Sequence, residues 1–323
     1  MILMEESKMP PYCVHQTFDD FDEFTESARG WDIDFKQLEP GPFRSEFLHY
    51  IQGNIQFGHA RINRHIEQLG DSPKGFRTFA IPAISSLRLK WCGVTLPEDS
   101  AIIFQPARGL DSVSWSDFDM FIFSIPDARI VQLCNELGCP ALPEIISQSD
   151  IIRCRAGALA TVRQALATVA DLLKRPADSE TFQRVQQEFE HTIPGMLLAT
   201  LASAQKTTQS RPHRMRDAVI REITAYLDKA PGTAPKVYEL CNRFNVSERT
   251  LEYAFGDHFG TTPKEYLKRR RLNQVRKILR QRPHKNIPIV DIANRCGFWH
   301  MGQLAADYRN LFGELPSETF NRI

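Results

Sequence analysis

The sequence lacks any apolar run long enough to cross a bilayer, which takes about 20 residues. Its first segment, Met1–Pro11, includes Glu5 and Glu6 where a signal peptide would carry an apolar core. We therefore expect a cytoplasmic protein that neither crosses a membrane nor is secreted.

The seven cysteines are odd in number and scattered, with only Cys134 and Cys139 close together. The sequence lacks the second close pair that a zinc-binding cysteine cluster needs, and we expect reduced, mostly buried thiols of a cytosolic protein. The sequence also lacks a His-x-His pair, a Walker loop and a dinucleotide-binding fingerprint. We predict that the protein is not an enzyme and has no catalytic residues, metal or cofactor.

The net charge of +1 hides opposite charges in the two parts of the chain. Residues 211–323 hold 21 Lys and Arg against 12 Asp and Glu, a net charge of +9, whereas residues 1–210 carry −8. Such segregation is typical of a chain in which one end binds a polyanion. We predict a domain at 1–204, a polar linker at 205–215 and a second domain at 216–323.

Short β-rich runs dominate the first domain and favour a small sandwich or barrel. The sequence predicts a loop or short helix over residues 16–40, followed by strands. The predicted strands are Phe43–Ile51, Ile55–Ile62, Phe76–Ile81, Leu87–Val94, Ala101–Gln105 and Met120–Ile125.

Three helices are predicted after these strands, at Ala128–Leu137, 155–175 and 179–204, the last bent or broken at Pro194. The second helix has an apolar stripe at spacings of three or four residues. This stripe fits packing against the domain's own sheet and a dimer interface about equally well. Its members are Leu159, Val162, Leu166, Val169 and Leu173.

The C-terminal domain contains one pattern twice, about 52–53 residues apart, within Leu240–Phe259 and again within Ile292–Phe312. In each copy a short helix leads to a turn that tolerates a left-handed backbone, at Asn245 and at Gly297, and then to a second helix. This order predicts two helix-turn-helix units.

The second helix of each unit is the predicted reading helix. In the first unit Ser247 is the predicted N-cap. The outward residues there are predicted to contact base edges, Arg with guanine and Glu with cytosine, while Tyr stacks or binds phosphate. These residues are Glu248, Arg249, Glu252 and Tyr253.

The reading helix of the second unit starts near His300 and has a less cationic outer face, because Ala305, Ala306 and Asp307 follow. We expect apolar and phosphate contacts from this unit, with Arg309 and Lys285 as phosphate candidates. The DNA-binding candidates of the second unit and the connecting helix are Lys264, Trp299, His300, Met301, Gln303 and Arg309.

A connecting helix is predicted from Pro263 to about Gln281, roughly 28 Å long. It would hold the two reading helices about one DNA turn apart, roughly 34 Å. Its run Lys268–Arg271 is the densest basic cluster in the chain, and we expect part of it to pair with acids of neighbouring helices.

Over roughly residues 218–321 the sequence resembles the C-terminal domain of the AraC/XylS family of bacterial transcription regulators. It departs from the family pattern at Asn245, at Cys241, and at Gly302-Gln303-Leu304 with Tyr308. The resemblance rests on Leu240-Cys241 to Ser247, Leu251, Phe255, Gly260-x-x-Pro263, Arg271-Leu272, Asp291-Ile292-Ala293, Gly297-Phe298 and Phe312-Gly313-x-x-Pro316.

The N-terminal half is similar to sensory domains of the same family, including those of ethanolamine-operon regulators, through Gly41-Pro42-Phe43-x-x-Glu46 and Gly53-Asn54-Ile55-Gln56. The resemblance implies an α+β protein. Its N-terminal part would be a cupin-like β-barrel with flanking dimerisation helices. An all-α domain with two helix-turn-helix units joined by a linker helix would follow. The ligand does not carry over, because no binding motif for cobalamin or ethanolamine is visible.

The leading hypothesis is a sequence-specific transcription regulator, an activator. It would bind double-stranded promoter DNA as a homodimer, contact RNA polymerase and respond to an unknown small-molecule effector in its N-terminal domain. Arg61 and Arg64 could hold an anionic effector, although a solvated strand end is the favoured interpretation of both residues. The alternative is a metal-binding or catalytic cupin-like domain tethered to DNA by the C-terminal module. Its candidate ligands, His49, His59 and His65, fit structural roles better.

Overall fold

The computed structural model describes residues 12–27, 32–71, 75–106, 109–175, 178–204, 206–208, 215–229, 234–281 and 287–322. Contacts between Cα atoms divide the chain into two compact units. The second unit consists of Phe35–Phe43, Arg64–Gln68 and the helical region after residue 210, and the first unit holds the remaining described residues. The predicted domain boundaries at 204 and 216 stay a prediction.

The strands occupy the N-terminal part and form two sheets. The eight-stranded sheet has the order β1-β3-β4-β11-β6-β9-β12-β13, and the five-stranded sheet has the order β2-β5-β10-β7-β8. The strands are β1 Tyr12–Phe18, β2 Asp32–Gln37, β3 Ser45–Gln52, β4 Ile55–Ile62, β5 Ile66–Asp71, β6 Phe76–Pro82, β7 Leu89–Trp91, β8 Val94–Thr95, β9 Ser100–Ile103, β10 Leu110–Ser114, β11 Phe118–Pro126, β12 Ile151–Arg153 and β13 Lys206–Thr208.

This arrangement confirms the mixed α and β fold with β-sheets first and helices last. The strands within the described ranges lie in two separate sheets, so the cupin-like closed barrel is not confirmed. β4 has the predicted bounds, and the predicted strand Leu87–Val94 is divided into β7 and β8 by a turn in which Cys92 and Gly93 have positive φ angles.

Residues 16–40 were predicted to form a loop or short helix. A short helix is present at Phe21–Ser27, but the prediction missed the strands on either side of it, β1 and β2. β1 pairs with β3 along its whole length, but it has exposed polar residues in its middle and therefore lacks apolar alternation. β5 was missed because its first residues include the buried Glu67 and Gln68, which do not look like strand-core residues in the sequence.

Helices cover the eight-stranded sheet in the first unit. Their bounds are α1 Phe21–Ser27, α2 Asp127–Glu136, α3 Leu142–Gln148, α4 Ala160–Leu173, α5 Ser179–Gln187 and α6 Ile193–Ala202, with a π-helical turn at Glu188–Thr192. The helical stretch is therefore continuous from α5 to α6, and the predicted bend or break coincides with the π-helical turn that comes directly before the first turn of α6, which contains Pro194.

The apolar stripe on α4 belongs to the core of the first unit. Its five residues are at most 3% exposed and share one cluster with Leu48, Tyr50, Phe57 and Phe123 of the eight-stranded sheet. Packing against the unit's own sheet is thus confirmed for this stripe. The dimer-interface interpretation of the same stripe is wrong, because its side chains are already covered.

The helical unit follows the predicted order. Its helices are α7 Met215–Lys229, α8 Val237–Phe244, α9 Glu248–Phe259, α10 Pro263–Arg280, α11 Ile289–Arg295, α12 Met301–Phe312 and α13 Pro316–Asn321. Helix α10 packs against α9, α11, α12 and α13. Within the predicted linker 205–215, residues 206–208 form β13 and Met215 begins α7, while residues 205 and 209–214 lie outside the described residues. Pro283 and the phosphate candidate Lys285 also lie outside the described residues.

None of the helices in the described ranges is both long enough and apolar enough to traverse a membrane. All seven cysteines lie in the described part of the chain and are free thiols. Three of them, Cys134, Cys154 and Cys296, are buried. Burial raises the pKa of Cys154 and of Cys296 to about 11, which keeps both thiols protonated at neutral pH.

Candidate nucleic-acid interface

The turn of the first helix-turn-helix unit depends on Asn245. Its φ of 51° and ψ of 48° are left-handed, and its N–H donates to the carbonyl of Cys241 at the end of α8. Asparagine tolerates this conformation better than most residues. Ser247 then caps α9, because its Oγ accepts from the amide of Thr250 at 3.1 Å. The predicted turn and cap are both present.

Helix α9 has one buried and one exposed face. The four candidate readers, Glu248, Arg249, Glu252 and Tyr253, are all exposed, and Tyr253 is 52% exposed. Arg249 and Tyr253 are one turn apart, with Nη2 of Arg249 3.4 Å from Oη of Tyr253 and the guanidinium 5.5 Å from the ring centroid. An arginine and an aromatic ring placed together can contact a base edge and the adjacent backbone.

The turn of the second unit is tied to helix α10. Gly297 has a φ of 78°, and its carbonyl accepts from Nη1 of Arg271 at 3.2 Å. The same guanidinium lies 5.0 Å from the ring centroid of Phe298. Burial lowers the pKa of Arg271, and the charge of Asp307 opposes this shift. Arg271 therefore holds the turn that precedes α12.

Helix α12 has a buried face of Leu304, Tyr308, Leu311 and Phe312. Its N-cap is His300, which makes no side-chain capping bond. The predicted contact residues of this unit are exposed, Trp299 by 73%, except that Met301 is half-buried. The exposed members are Trp299, His300, Gln303 and Arg309.

Lys264, the second residue of α10, is also exposed. The structure therefore places four candidates on α9 and five at α12, and none of the ten is buried. Their contacts with DNA stay predictions.

All four residues of the basic run on α10, Lys268–Arg271, make polar contacts within the helical unit. We had expected such contacts for only part of the run. Lys268 lies 3.2 Å from Glu265 and 3.3 Å from Asp307. Arg269 pairs with Glu265 at 3.1 Å, and Arg270 pairs with Asp228 at 3.5 Å and donates to the carbonyl of Leu227. With Arg271 engaged as described above, the cluster serves internal packing.

The pairing of Lys268 also changes the interpretation of α12. Asp307 is bonded to Lys268 at 3.3 Å, and its side chain is only 17% exposed. Its negative charge is therefore compensated within the unit. The outer face of α12 is less acidic than the sequence suggested, which favours approach to a phosphate backbone.

A buried polar network, which the sequence did not reveal, holds α13 against α10 and α12. Glu314 pairs with Arg276 and accepts from Thr319 Oγ1 at 2.6 Å. Thr319 in turn lies 2.8 Å from the hydroxyl of Tyr308, and Arg322 reaches Glu314 at 2.8 Å. Because such groups require partners when buried, this network specifies how the last helix packs.

The candidate effector and metal ligands of the N-terminal half are engaged elsewhere. Arg61 lies 3.0 Å from Asp119 and 3.2 Å from Glu46, and Nε2 of His59 lies 2.7 Å from Asp119. Nε of Arg64 donates to the carbonyl of Pro42 at 2.9 Å. Among the residues that the structure describes, no group of three or more His, Cys, Asp and Glu side chains is arranged to hold a metal ion.

Comparison with known proteins places the C-terminal region in a family. Residues 240–322 match the family described as a helix-turn-helix domain. The xylDLEGF operon transcriptional activator of Pseudomonas putida is 34% identical over 146 residues, which cover 45% of this chain and 44% of that protein. The HTH-type transcriptional activator RhaS of Escherichia fergusonii is 29% identical over 155 residues, covering 44% of this chain and 55% of that protein.

The chain thus spans about half the length of the curated relatives it matches. Among solved structures, the AraC-like transcriptional activator CuxR is 13% identical, with a TM-score of 0.42 and coverage of 82% of this chain and 94% of its own. The predicted resemblance of the helix-turn-helix region to transcription regulators of the AraC/XylS type is confirmed. These relatives are named as transcriptional activators and not as enzymes. The similarity of the N-terminal half to sensory domains stays a prediction.

Proposed function

We propose that the protein is a sequence-specific DNA-binding transcription regulator, and specifically an activator. The observation that carries this proposal is the pair of helix-turn-helix units, in which α9 and α12 have exposed polar residues and both pack against α10. The activator role is supported by the names of the relatives, which are transcriptional activators.

The base readers proposed on α9 are Glu248, Arg249, Glu252 and Tyr253. Residues near the start of a recognition helix reach base edges, and all four lie in the first two turns of α9. At α12 we propose Trp299, His300, Met301 and Gln303 as the groove contacts. Arg309 in the last turn of α12 and Lys264 suit phosphate contacts.

We further propose that the protein acts as a homodimer, recruits RNA polymerase and works in the cytoplasm, where bacterial promoter DNA is found. The N-terminal half is proposed to be the sensory and dimerisation domain, related to the cupin-like sensory domains of the family. A cavity of about 630 Å³ in the first unit is a place for an effector, since ligand sites typically enclose about 300–1,000 Å³. Gln52, Arg129 and Phe189 are among its lining residues.

The direct test is selection of genomic fragments by the purified full-length chain. We expect enrichment of a small set of promoter fragments that share a site of two adjacent major-groove segments. Recovery of fragments without a common sequence would contradict a sequence-specific regulator.

Replacing Arg249 by alanine should relax the sequence preference at one position of this site. A bidentate arginine–guanine contact discriminates against other bases by about 1–3 kcal/mol, and Arg249 is exposed near the start of α9. The measurement is the relative affinity of Arg249→Ala for all four bases at each position. The matched control is Arg295→Ala, since Arg295 is exposed at the end of α11, outside both reading helices. An equal change of preference in both variants would contradict the assignment of Arg249.

A further inference from the structure

Residues Phe35–Phe43, which we call the strap segment, belong to the helical unit although they lie far earlier in the chain. The side chain of Asn273 on α10 pairs with the backbone of this segment at one residue, Gln37. Its Oδ1 accepts from the Gln37 amide at 2.9 Å, and its Nδ2 donates to the Gln37 carbonyl at 3.0 Å. The Asn273 amide thus pairs with both the N–H and the carbonyl of Gln37, as the backbone of a neighbouring strand would do.

The same strap residue reaches the end of helix α12. Nε2 of Gln37 donates to the carbonyl of Leu311 at 2.7 Å, and the amide of Gly41 lies 3.0 Å from the same oxygen and 3.1 Å from the carbonyl of Asn310. The last carbonyl groups of a helix have no partner within it. The strap segment therefore supplies donors that cap the C-terminal end of α12.

Nε2 of Gln37 also lies 2.8 Å from the Glu39 carbonyl and 2.7 Å from the Gly41 carbonyl. One amide group thus holds the turn of the strap segment and the end of α12 together. Gln37 is 1% exposed and Asn273 is 6% exposed. Because a buried polar group that loses its partner destabilises the fold, these hydrogen bonds cannot simply be replaced by bonds to water.

A buried ionic group fixes the start of the strap segment to α7 and α10. Nζ of Lys36 lies 3.5 Å from Glu67 and 3.6 Å from Asp228 of α7. Glu67 in turn accepts from the hydroxyl of Tyr266 on α10 at 3.0 Å. Burial raises the pKa of Glu67 even though Lys36 opposes the shift. The strap segment is therefore held on α7 and α10 at one end and on α12 at the other.

We propose that the strap segment sets the position of α12 relative to α10 and is required for α12 to contact DNA. Gln37 and Asn273 are positioning residues in this arrangement, since Gln37 joins α10 through its backbone and α12 through its side chain. The proposal rests on the proposed function, because it requires α12 to be a reading helix. Hydrogen bonds form only within about 2.7–3.2 Å, so a small displacement of α12 abolishes those it makes with bases or phosphates.

The test is Gln37→Glu in the full-length chain, bound to a fragment selected by the wild-type protein and examined by hydroxyl-radical footprinting. The carboxylate has no N–H and would face three carbonyl oxygens. We expect the dissociation constant to rise at least tenfold. Protection should be lost in the half of the site that also weakens in Arg309→Ala, and retained in the half that α9 contacts. A purely structural defect would weaken both halves together.

The matched control is Gln16→Glu, which makes the same charge change at an exposed position of β1 and should alter the affinity less than twofold. Asn273→Asp is a milder second variant, because it keeps the acceptor for the Gln37 amide and loses only the donor. It should weaken protection in the same half of the site. Unchanged binding, tighter binding or equal loss in both halves for folded variants would overturn the proposal.

Hydrogen exchange of the unmodified chain tests the same idea without any substitution. If the strap segment positions α12 on DNA, the amides of Gln37 and Gly41 should exchange at least tenfold more slowly in the DNA complex. Unchanged exchange at both amides, with α12 protected by DNA, would refute the strap proposal alone. A wild-type chain that selects no DNA would instead refute the proposed function.

Discussion

Individual arginines of the helical unit have different tasks in this protein. Arg269, Arg270 and Arg271 form the most basic stretch of the chain, yet each makes hydrogen bonds within the unit. Arg249, in a less basic stretch, is exposed on a reading helix. Charge density along the sequence is therefore a poor guide to which cations are free to contact a ligand, because long basic side chains also satisfy buried carbonyls and acids.

The residue with the clearest pH-dependent contribution to stability is Glu46, the second residue of β3 in the eight-stranded sheet. Burial by itself would raise its pKa, but hydrogen bonds from Lys174 and His15 and the charges of Lys174 and Arg61 prevail and lower the pKa to about 2. The folded-state pKa lies below the ordinary value of 4.5. The ionised side chain thus stabilises the fold above pH 4.5, and this contribution is lost as the pH falls towards 2.

Glu46→Gln should therefore lower the free energy of unfolding at pH 7 by on the order of 2 kcal/mol. The difference from wild type should shrink as the pH falls from about 5 to about 2. Denaturant unfolding at a series of pH values measures it. Glu98→Gln, at an exposed position, serves as the control and should change the unfolding free energy little. A difference that stays constant between pH 7 and pH 3 would contradict the ionic explanation.

At the level of secondary structure elements, the two helix-turn-helix units use different residues for the same turn. The first uses Asn245 and the second uses Gly297, and both have positive φ angles. The second turn is more crowded, because a Cβ on Gly297 would lie 2.8 Å from Cβ of Ala234. It is also bonded to Arg271 of α10. Here only glycine meets both the conformational and the steric requirement.

Gly297→Ala should destabilise the helical unit by about 1–3 kcal/mol, because it combines left-handed strain with a steric clash. Gly256→Ala is the matched control within helix α9. A Cβ there meets nothing within 4 Å, and removing a helical glycine is expected to stabilise by about 0.5–1 kcal/mol. Thermal or denaturant unfolding measures both changes. Shifts of the same sign in the two variants would contradict this account of the turn.

On the scale of the whole molecule, the positive charge is concentrated in the helical region, with a net +9 over residues 211–323. Several of these cations pair with acids of the same region, so fewer than the 21 Lys and Arg side chains are available to phosphates. Association with DNA through these exposed cations releases bound counterions and must weaken with salt.

The logarithm of the affinity for a selected fragment should fall linearly with the logarithm of salt concentration, with a slope of about −0.9 for each phosphate contacted. Arg309→Ala should reduce the magnitude of this slope by about 1 without changing the sequence preference. Titrations between about 50 and 200 mM salt measure the slopes. Arg155→Ala, exposed in the first unit, should leave the slope unchanged. A binding constant that does not depend on salt would exclude a phosphate-dominated interface.

Much of the helical unit was predictable because its signals are local. Caps, turn residues and apolar spacing located α8 to α12 to within a few residues, and the exposure of nine of the ten candidates fits the predicted outward positions. The N-terminal half was predicted less completely. Short strands with polar or exposed residues, such as β1, β5 and β12, lack a local pattern, and their identity depends on the strands beside them.

The order of helices and the two turns were already settled within the sequence, because each depends on residues a few positions apart. The partners of buried polar groups were settled only on folding. Asn273 bonds to Gln37 across 236 positions, and Tyr266 bonds to Glu67 across 199. No local pattern records such pairs, since buried amides and carboxylates take whichever donors the packed chain brings to them. The strap segment and the internal pairing of the basic run on α10 therefore emerged only from the three-dimensional arrangement.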